Sequence, residues 1–112
     1  MRILVTITPR MYREAIALSL RQRRPGYEVR IAAPGAVEEE VRVFAPHLLV
    51  RNDTDGMDPR VLMNVPCWIE VLYSDGMDAR ISVDGRIEET SDISTDVLLQ
   101  VADEAAAGMQ EP

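Results

Sequence analysis

The turn that follows the apolar run Pro46–Val50 holds the densest group of side chains that could do chemistry. Asn52, Asp53, Asp55 and Asp58 stand close together there, and their oxygen atoms are the hard ligands that divalent ions prefer. Their spacing differs from that of an EF-hand loop, however, and no glutamate stands at the closing position. Asn, Asp and Gly are also the ordinary residues of turns, and Asp58 is well placed to cap a helix. We therefore predict a turn here, not a metal site.

Cys67 and His47 are the one thiol and the one imidazole of the chain, a pair that can serve as nucleophile and base. Both stand at the starts of predicted strands, at the amino edge of the sheet. Sites in open α/β sheets form at the opposite, carboxyl edge. A free cysteine that enters a strand is most often a small buried apolar residue. We therefore predict that the protein is not an enzyme.

Glu70 is a carboxylate inside an otherwise apolar predicted strand. A carboxylate that is buried without a partner resists ionisation. We expect Glu70 to lie on an exposed strand face or to pair with Arg51 or Arg80.

The segment after the first strand offers a weaker possibility, an anion site. Thr8 and Arg10 stand where the N-terminus of a helix could hold a small anion, although no glycine-rich phosphate loop precedes it. We predict no cofactor. A ligand pocket at this edge of the sheet would use Thr6, Thr8, Arg10, Asn52, Asp53 and Ser74.

Apolar strands and amphipathic helices alternate along the first half of the chain, which implies a parallel sheet with right-handed crossovers. The dipeptide Asp84–Gly85 lies between two β-rich segments and predicts a hairpin that adds an antiparallel edge strand. We predict one α/β domain over residues 1–108 and a frayed tail at 109–112. The predicted order is β-α-β-α-β-α-β-β-β-α, with strands at Arg2–Ile7, Tyr27–Ala33, His47–Arg51, Cys67–Tyr73, Ala79–Val83 and Arg86–Thr90.

Local signals predict where the helices begin and end. Thr8 before Pro9 predicts an N-cap and the first residue of a helix that ends near Arg23, and Ser94 or Thr95 caps the last helix. Gly108 is expected just beyond the end of that helix. The expected buried stripes are Tyr12, Ala15, Ile16 and Leu20, then Val37, Val41 and Phe44, then Val97, Leu98, Val101 and Ala105.

Composition excludes several classes of protein. The net charge of −7 argues against nonspecific nucleic-acid binding. All twelve basic residues are arginines, and the chain contains no lysine. No apolar run approaches the length of roughly 20 residues that crosses a bilayer. The N-terminus predicts a strand instead of a signal peptide, and the single cysteine agrees with a reducing cytoplasm, which is the expected location.

A family resemblance rests on three segments of the first half of the chain. Arg2–Val5 with Tyr12–Ile16, then Pro25–Val29, and finally Pro46–Asn52 resemble the receiver domain of response regulators. Receivers are flavodoxin-like domains that accept a phosphoryl group on an aspartate at the end of the third strand. The resemblance implies a three-layer, doubly wound, mostly parallel sheet of order 2-1-3-4-5, here with an antiparallel C-terminal edge hairpin. Beyond Tyr73 the resemblance ends.

The phosphorylation residues of that family do not carry over. The acidic pair that binds magnesium falls on Ile7 and Thr8, and the acceptor position falls on Asn52. Ser74 matches the hydroxyl after the fourth strand, while the family's lysine has no counterpart in a chain without lysine. A register slip that made Asp53 the acceptor would still leave no acidic pair. The resemblance therefore implies a degenerate receiver that is not phosphorylated in the usual way.

Two functions follow as expectations. The first is a non-catalytic pseudo-receiver, a signalling or protein-interaction module that docks a partner or itself. Here we expect a homodimer formed through the region from Tyr73 to Thr90, whose edge strand offers unpaired backbone groups. The alternative is a flavodoxin-like domain that binds a small ligand or anion at the carboxyl ends of strands 1 and 3.

Overall fold

The structure of the protein, a computed structural model, describes residues 1–72, 78–91 and 93–109. None of the helices in this part of the chain is long and apolar enough to span a bilayer. The strands are β1 (Arg2–Val5), β2 (Glu28–Ile31), β3 (Leu48–Asn52), β4 (Cys67–Val71), β5 (Ala79–Val83) and β6 (Arg86–Thr90). The helices are α1 (Arg10–Arg23), α2 (Val37–Phe44), α3 (Pro59–Leu62) and α4 (Thr95–Met109), with a 3-10 turn at Pro34–Ala36.

The six strands form one mixed sheet of order β2-β1-β3-β4-β5-β6. Strands β1 to β4 run parallel, and β5 and β6 each run antiparallel to the strand before them. The predicted α/β class, the order of the first five strands and the antiparallel hairpin at the edge are confirmed. The order reverses between β1 and β3, so the carboxyl ends of these two strands border the crevice where α/β proteins usually place a site.

Helices pack on both faces of the sheet because neighbouring residues of each buried strand point to opposite faces. On one face, Ile3, Val5, Leu48 and Val50 pack with Leu20 of α1 and with α4. On the other face, Leu4 and Leu49 pack with the residues of α2 that were predicted to be buried, Val37, Val41 and Phe44. Both buried surfaces include β1 and β3, which lie near the middle of the sheet.

The start of α1 differs from the prediction. Pro9 is the N-cap residue, it follows a cis peptide bond, and no side chain caps the helix. Thr8 was predicted to be the N-cap, which is wrong, because its side chain donates to Asn52 on β3 instead.

The buried face of α1 is also rotated from the predicted stripe. Arg13, Ala17 and Leu20 face the core, at the i, i+4 and i+7 spacing of one helix side. Tyr12 is 54% exposed, so its assignment to the buried stripe is wrong. Ala15 of the predicted stripe is exposed as well, Ile16 is half-buried, and only Leu20 is buried as predicted.

Helix α4 begins as predicted and ends later. The Ser94 side chain accepts a hydrogen bond from the backbone of Val97, at 3.3 Å, and so caps the helix. Gly108 lies within the helix, which continues to Met109, so its prediction as the residue beyond the helix is wrong. Glycine suits this position because the Asp84 side chain lies close to it. A β-carbon at position 108 would lie 3.0 Å from Oδ2 of Asp84. Residues 110–112, predicted to fray, lie outside the described residues.

Asp103 joins α4 to the C-terminal end of α1. Its carboxylate accepts two hydrogen bonds from Arg24, at 2.9 and 2.7 Å, and one from the Tyr27 hydroxyl at 2.8 Å. The hydrogen bond from Arg24 holds the pKa of Asp103 below its ordinary value. The two helices that cover one face of the sheet are thereby connected to each other.

The β5–β6 turn is a two-residue hairpin in which Asp84 and Gly85 have φ values of 52° and 85°. Both values lie in the left-handed region, as a type I′ turn requires, and Asp and Gly are the residues that adopt it most easily. The turn fixes the register of the edge hairpin, with Val83 opposite Arg86.

We expect Gly85→Ala to lower the free energy of unfolding by about 1–2 kcal/mol, because a β-carbon is strained at this φ. The matched control is Gly35→Ala, where the φ is not positive and nothing lies within 4 Å of a new β-carbon. Urea denaturation measures the free energy of unfolding of both variants. Equal stability of the two variants would contradict the strained turn.

Candidate functional site

Thr8 and Asn52 meet at the carboxyl ends of β1 and β3. The Asn52 Oδ1 atom accepts a hydrogen bond from the Thr8 backbone N–H at 2.7 Å and a second from the Thr8 hydroxyl at 3.1 Å. Asn52 is only 4% exposed, so water competes little for these bonds. The two residues that the sequence placed at this edge therefore bond each other, and we call this pair the Thr8–Asn52 clasp.

The peptide between Ile7 and Thr8 is held from two sides. Its N–H donates to Asn52, and its carbonyl oxygen lies 3.5 Å from Nη1 of Arg13 on α1. In a trans peptide these two groups point in opposite directions, so Arg13 and Asn52 approach from opposite sides. Arg13 is 9% exposed, and its buried Nε has no hydrogen-bond partner among the described residues. Its guanidinium therefore holds the loop after β1 and does not share a pocket with Asn52.

Arg51 forms the most deeply buried ion pairs among the described residues. Its Nε and Nη2 atoms donate to the two carboxylate oxygens of Asp55, at 2.9 and 2.6 Å, in a bidentate pair. Its third nitrogen donates to Glu70 on β4 at 2.5 Å. The side chains of Arg51, Asp55 and Glu70 are 6%, 1% and 12% exposed. Three charged groups thus share one dry site beneath the β3 end, which we call the Arg51 cluster.

The Arg51 guanidinium stays ionised because its carboxylate partners compensate its charge. Burial alone would lower the pKa of Arg51, but the hydrogen bonds and negative charges of Asp55 and Glu70 raise it above its ordinary value. Asp55 also accepts a hydrogen bond from the Met57 backbone at 3.0 Å. Planar bidentate pairing of this kind suits arginine and would be lost with lysine.

Charges of alternating sign cross the sheet from this cluster toward the edge. Arg51 lies opposite Glu70, Glu70 opposite Arg80, and Arg80 opposite Glu89. Residues directly opposite each other on one face interact, and opposite charges stabilise such pairs. The Arg80 Nη2 atom lies 3.7 Å from Glu70. Both arginine partners expected for Glu70 are therefore present.

The remaining predicted site residues lie in different places. Thr6 is fully buried and bonds to Val50, while Arg10 is an exposed residue whose Nε pairs with Glu14 at 2.8 Å. Asp53 donates its backbone N–H to Val71 at 3.1 Å. Ser74, the predicted hydroxyl after the fourth strand, lies outside the described residues.

The acidic residues of the loop after β3 have structural partners, as expected for a turn. Asp55 bonds Arg51, and Asp58 caps α3 by accepting the Arg60 backbone N–H at 2.9 Å. No group of three or more potential metal ligands occurs within residues 1–72, 78–91 and 93–109.

Ile7, to which the receiver resemblance assigned one of the acidic positions, is 4% exposed and belongs to the core. It lines an apolar cavity of about 220 Å³ between α1 and α4, together with Ile16, Val71 and Leu98. An ionised group in this wall would be unfavourable without a partner. The position therefore contributes to packing and offers no ligand.

His47 and Cys67 lie at the amino edge of the sheet, as predicted. The His47 Nδ1 atom accepts a hydrogen bond from the Arg2 backbone at 2.9 Å, and burial, with Arg2 nearby, lowers the His47 pKa. Burial also raises the pKa of the Cys67 thiol. A protonated, buried thiol is a poor nucleophile, which agrees with a packing role for Cys67.

The sequence did not predict two features of the carboxyl edge of the sheet. These are the burial of Arg13 and the pairing of Arg51 with Asp55. Asp55 follows Arg51 by four positions across a turn, where no helical or strand periodicity indicates contact. Arg13 interrupts an apolar stripe, which is a signal that could have marked it as a buried cation.

Comparisons with protein-family models, with curated proteins and with solved structures find no match to this chain. The geometry itself therefore defines the class of protein. It is an α/β protein with a mixed six-stranded sheet, and internal bonds occupy the functional groups at the carboxyl ends of β1 and β3.

We expect Arg51→Met to lower the free energy of unfolding by about 3–5 kcal/mol, because Asp55 would be left buried without a cation and Glu70 would keep only the more distant Arg80. Arg60→Met is the matched control, since Arg60 also pairs with an aspartate but its side chain is 88% exposed. Surface ion pairs contribute little, so the control should stay close to the parent in chemical denaturation. Equal losses in the two variants would contradict the importance of the Arg51 cluster.

Proposed function

We propose that this chain is a receiver-like domain of the flavodoxin type that acts as a non-catalytic protein-interaction module and accepts no phosphoryl group. The parallel arrangement β2-β1-β3-β4, with helices on both faces, supports the receiver-like fold. The observation that carries the functional proposal is the Thr8–Asn52 clasp.

Phosphoryl acceptance at this edge would need an ionised nucleophile and oxygen ligands for a metal ion. The acceptor position holds the amide of Asn52, which is a weak nucleophile, and its oxygen already accepts two hydrogen bonds from Thr8. The acidic-pair positions hold a buried Ile7 and a Thr8 whose hydroxyl donates to Asn52. Each group that the chemistry requires is therefore replaced by one that stabilises the fold.

Buried ion pairs hold the loop after β3, which argues against a switch loop. Arg51 bonds Asp55 within that loop and Glu70 on the neighbouring strand. A switch loop needs two arrangements of similar free energy, whereas moving Asp55 would leave a buried Arg51 with a weaker set of partners. The Arg51 pairs therefore favour a module without a phosphorylation switch.

The alternative function, anion binding at the ends of strands 1 and 3, has less support. The backbone N–H and the hydroxyl of Thr8 both donate to Asn52 Oδ1, so these two donors do not point at an anion. Arg10 is an exposed residue that pairs with Glu14. Arg13 lies on the other side of the Ile7–Thr8 peptide. The candidate cations and the candidate donors therefore do not converge on one cavity.

Incubation with acetyl phosphate and magnesium, followed by intact-mass measurement, tests the proposal. We expect no adduct of about 80 Da, the mass of one phosphoryl group. Asn52→Asp, which restores a carboxylate at the acceptor position, should also stay unmodified because Ile7 and Thr8 cannot hold magnesium. A phosphorylation-competent receiver treated in parallel is the positive control. An adduct on the parent protein would overturn the proposal.

A further inference from the structure

The outer edge of β6 is open to a partner. Four of its residues are exposed, Arg86, Ile87, Glu88 and Glu89. The apolar side chain of Ile87 is 61% exposed. Among the residues that the structure describes, none donates to or accepts from the outer backbone groups of this strand. Such an edge is a template for another strand unless something blocks it.

The opposite edge of the sheet differs, because a side chain occupies it. Arg21 of α1 donates from Nη2 to the Val29 carbonyl oxygen of β2 at 2.8 Å. Every second residue of this segment bonds to β1, because the backbone N–H groups of Glu28 and Ala32 donate to the carbonyl oxygens of Met1 and Val5. Val29 lies between such residues. Its carbonyl therefore points outward, and Arg21 covers it. The β6 edge is consequently the better candidate for strand pairing.

The hairpin fixes which groups of β6 point outward. In a two-residue hairpin the residues that flank the turn, Val83 and Arg86, form a hydrogen-bonded pair, and such pairs alternate along the ladder. Glu88 opposite Ile81 is then also hydrogen-bonded. The backbone N–H and C=O groups of Ile87 and Glu89 therefore point away from β5.

We propose that β6 pairs antiparallel with β6 of a second copy of this chain, about a two-fold axis through Ile87. The proposal rests on the proposed function as an interaction module and names its partner. Ile87 would lie opposite Ile87 of the second copy, and the two residues would exchange both backbone hydrogen bonds. The two sheets would join into one continuous sheet.

Charge complementarity supports this register over its neighbours. About an axis at Ile87, each Arg86 lies opposite Glu88 of the second copy, so two opposite-charge pairs flank the central isoleucines. These side chains are accessible, at 67% and 66% exposure, and their ion pairs within the described part of the chain are long, at 3.7 and 3.8 Å. Opposite charges directly across a strand pair are favourable.

Moving the two-fold axis from Ile87 to Glu88 would place Glu88 opposite Glu88 of the second copy. Ile87 would then lie opposite Glu89 of the second copy. That register would add backbone hydrogen bonds, but it would set two like charges face to face and would pair an apolar residue with a carboxylate. Like charges directly opposite each other destabilise a strand pair. Both side-chain effects favour the axis at Ile87.

The row of side chains that contains Ile87 also suits an extended sheet. Trp68, Ser82 and Ile87 lie opposite one another on β4, β5 and β6. Trp68 packs against the cluster that includes α2, which covers the same face nearer the middle of the sheet. A second copy would continue this row and cover the Ile87 side chain, which the chain itself leaves exposed.

Charge reversal tests the proposal by sedimentation velocity over a concentration series. The parent should approach twice the 12.5 kDa mass of one chain as concentration rises. Arg86→Glu and Glu88→Arg should each weaken the dimer by about tenfold or more, because each sets like charges opposite each other in both pairs. The double variant restores the opposite charges and should dimerise within about threefold of the parent.

Glu28→Arg, on the opposite edge strand, is the matched control and should leave the dimer unchanged. Circular dichroism melts verify that every variant is folded. A parent that stays monomeric, or a dimer that either single reversal leaves intact, would overturn the proposal. So would a folded double variant that fails to regain the dimer. The phosphorylation test does not depend on assembly, so a monomer would leave the proposed function standing.

Discussion

The buried guanidinium of Arg51 is the interaction on which the rest of this structure depends. It connects β3 to the following loop through Asp55 and to β4 through Glu70, all in a dry environment. Buried charges are tolerated only when they are paired and hydrogen-bonded, so each of these residues fixes the positions of the others. The path of the loop between β3 and Met57 follows from this constraint.

Asn52, the residue after Arg51, bonds to Thr8 at the edge where a ligand would be expected. The crevice between β1 and β3 is where an α/β sheet would place a ligand, yet the Asn52 Oδ1 atom and both Thr8 donors bond each other there. The polar atoms that a metal ion or a phosphoryl group would contact are used to hold two strands and a loop together. We therefore propose that interaction occurs at the outer strand β6, which carries an accessible Ile87 and whose outer backbone groups have no partner among the described residues.

Local signals in the sequence predicted the parts of the fold that local physics determines. Asp84–Gly85 favours a left-handed turn by itself, Asp58 caps α3, and the spacing of Val37, Val41 and Phe44 fixes the inner face of α2. The errors at Thr8 and Gly108 have non-local causes, because Asn52 is 44 positions from Thr8 and Asp84 lies on a different element from Gly108. The pairing of Arg51 with Asp55 depends on a turn conformation that no periodicity encodes. The sequence thus indicated that Thr8 and Asn52 lie at one edge of the sheet, while the bonds between them needed the structure.

The most direct test of a closed carboxyl edge is a nitrogen-15 NMR titration with magnesium and beryllium fluoride, an analogue of a bound phosphoryl group. The amide of Thr8 reports on the bond to Asn52 because it is the donor in that bond. The account predicts that the amide signals of Thr8, Asn52 and Asp53 keep their positions as both reagents are added. A saturable shift of these three signals would contradict it, because it would mean that the edge opens to receive a metal ion and a phosphoryl group.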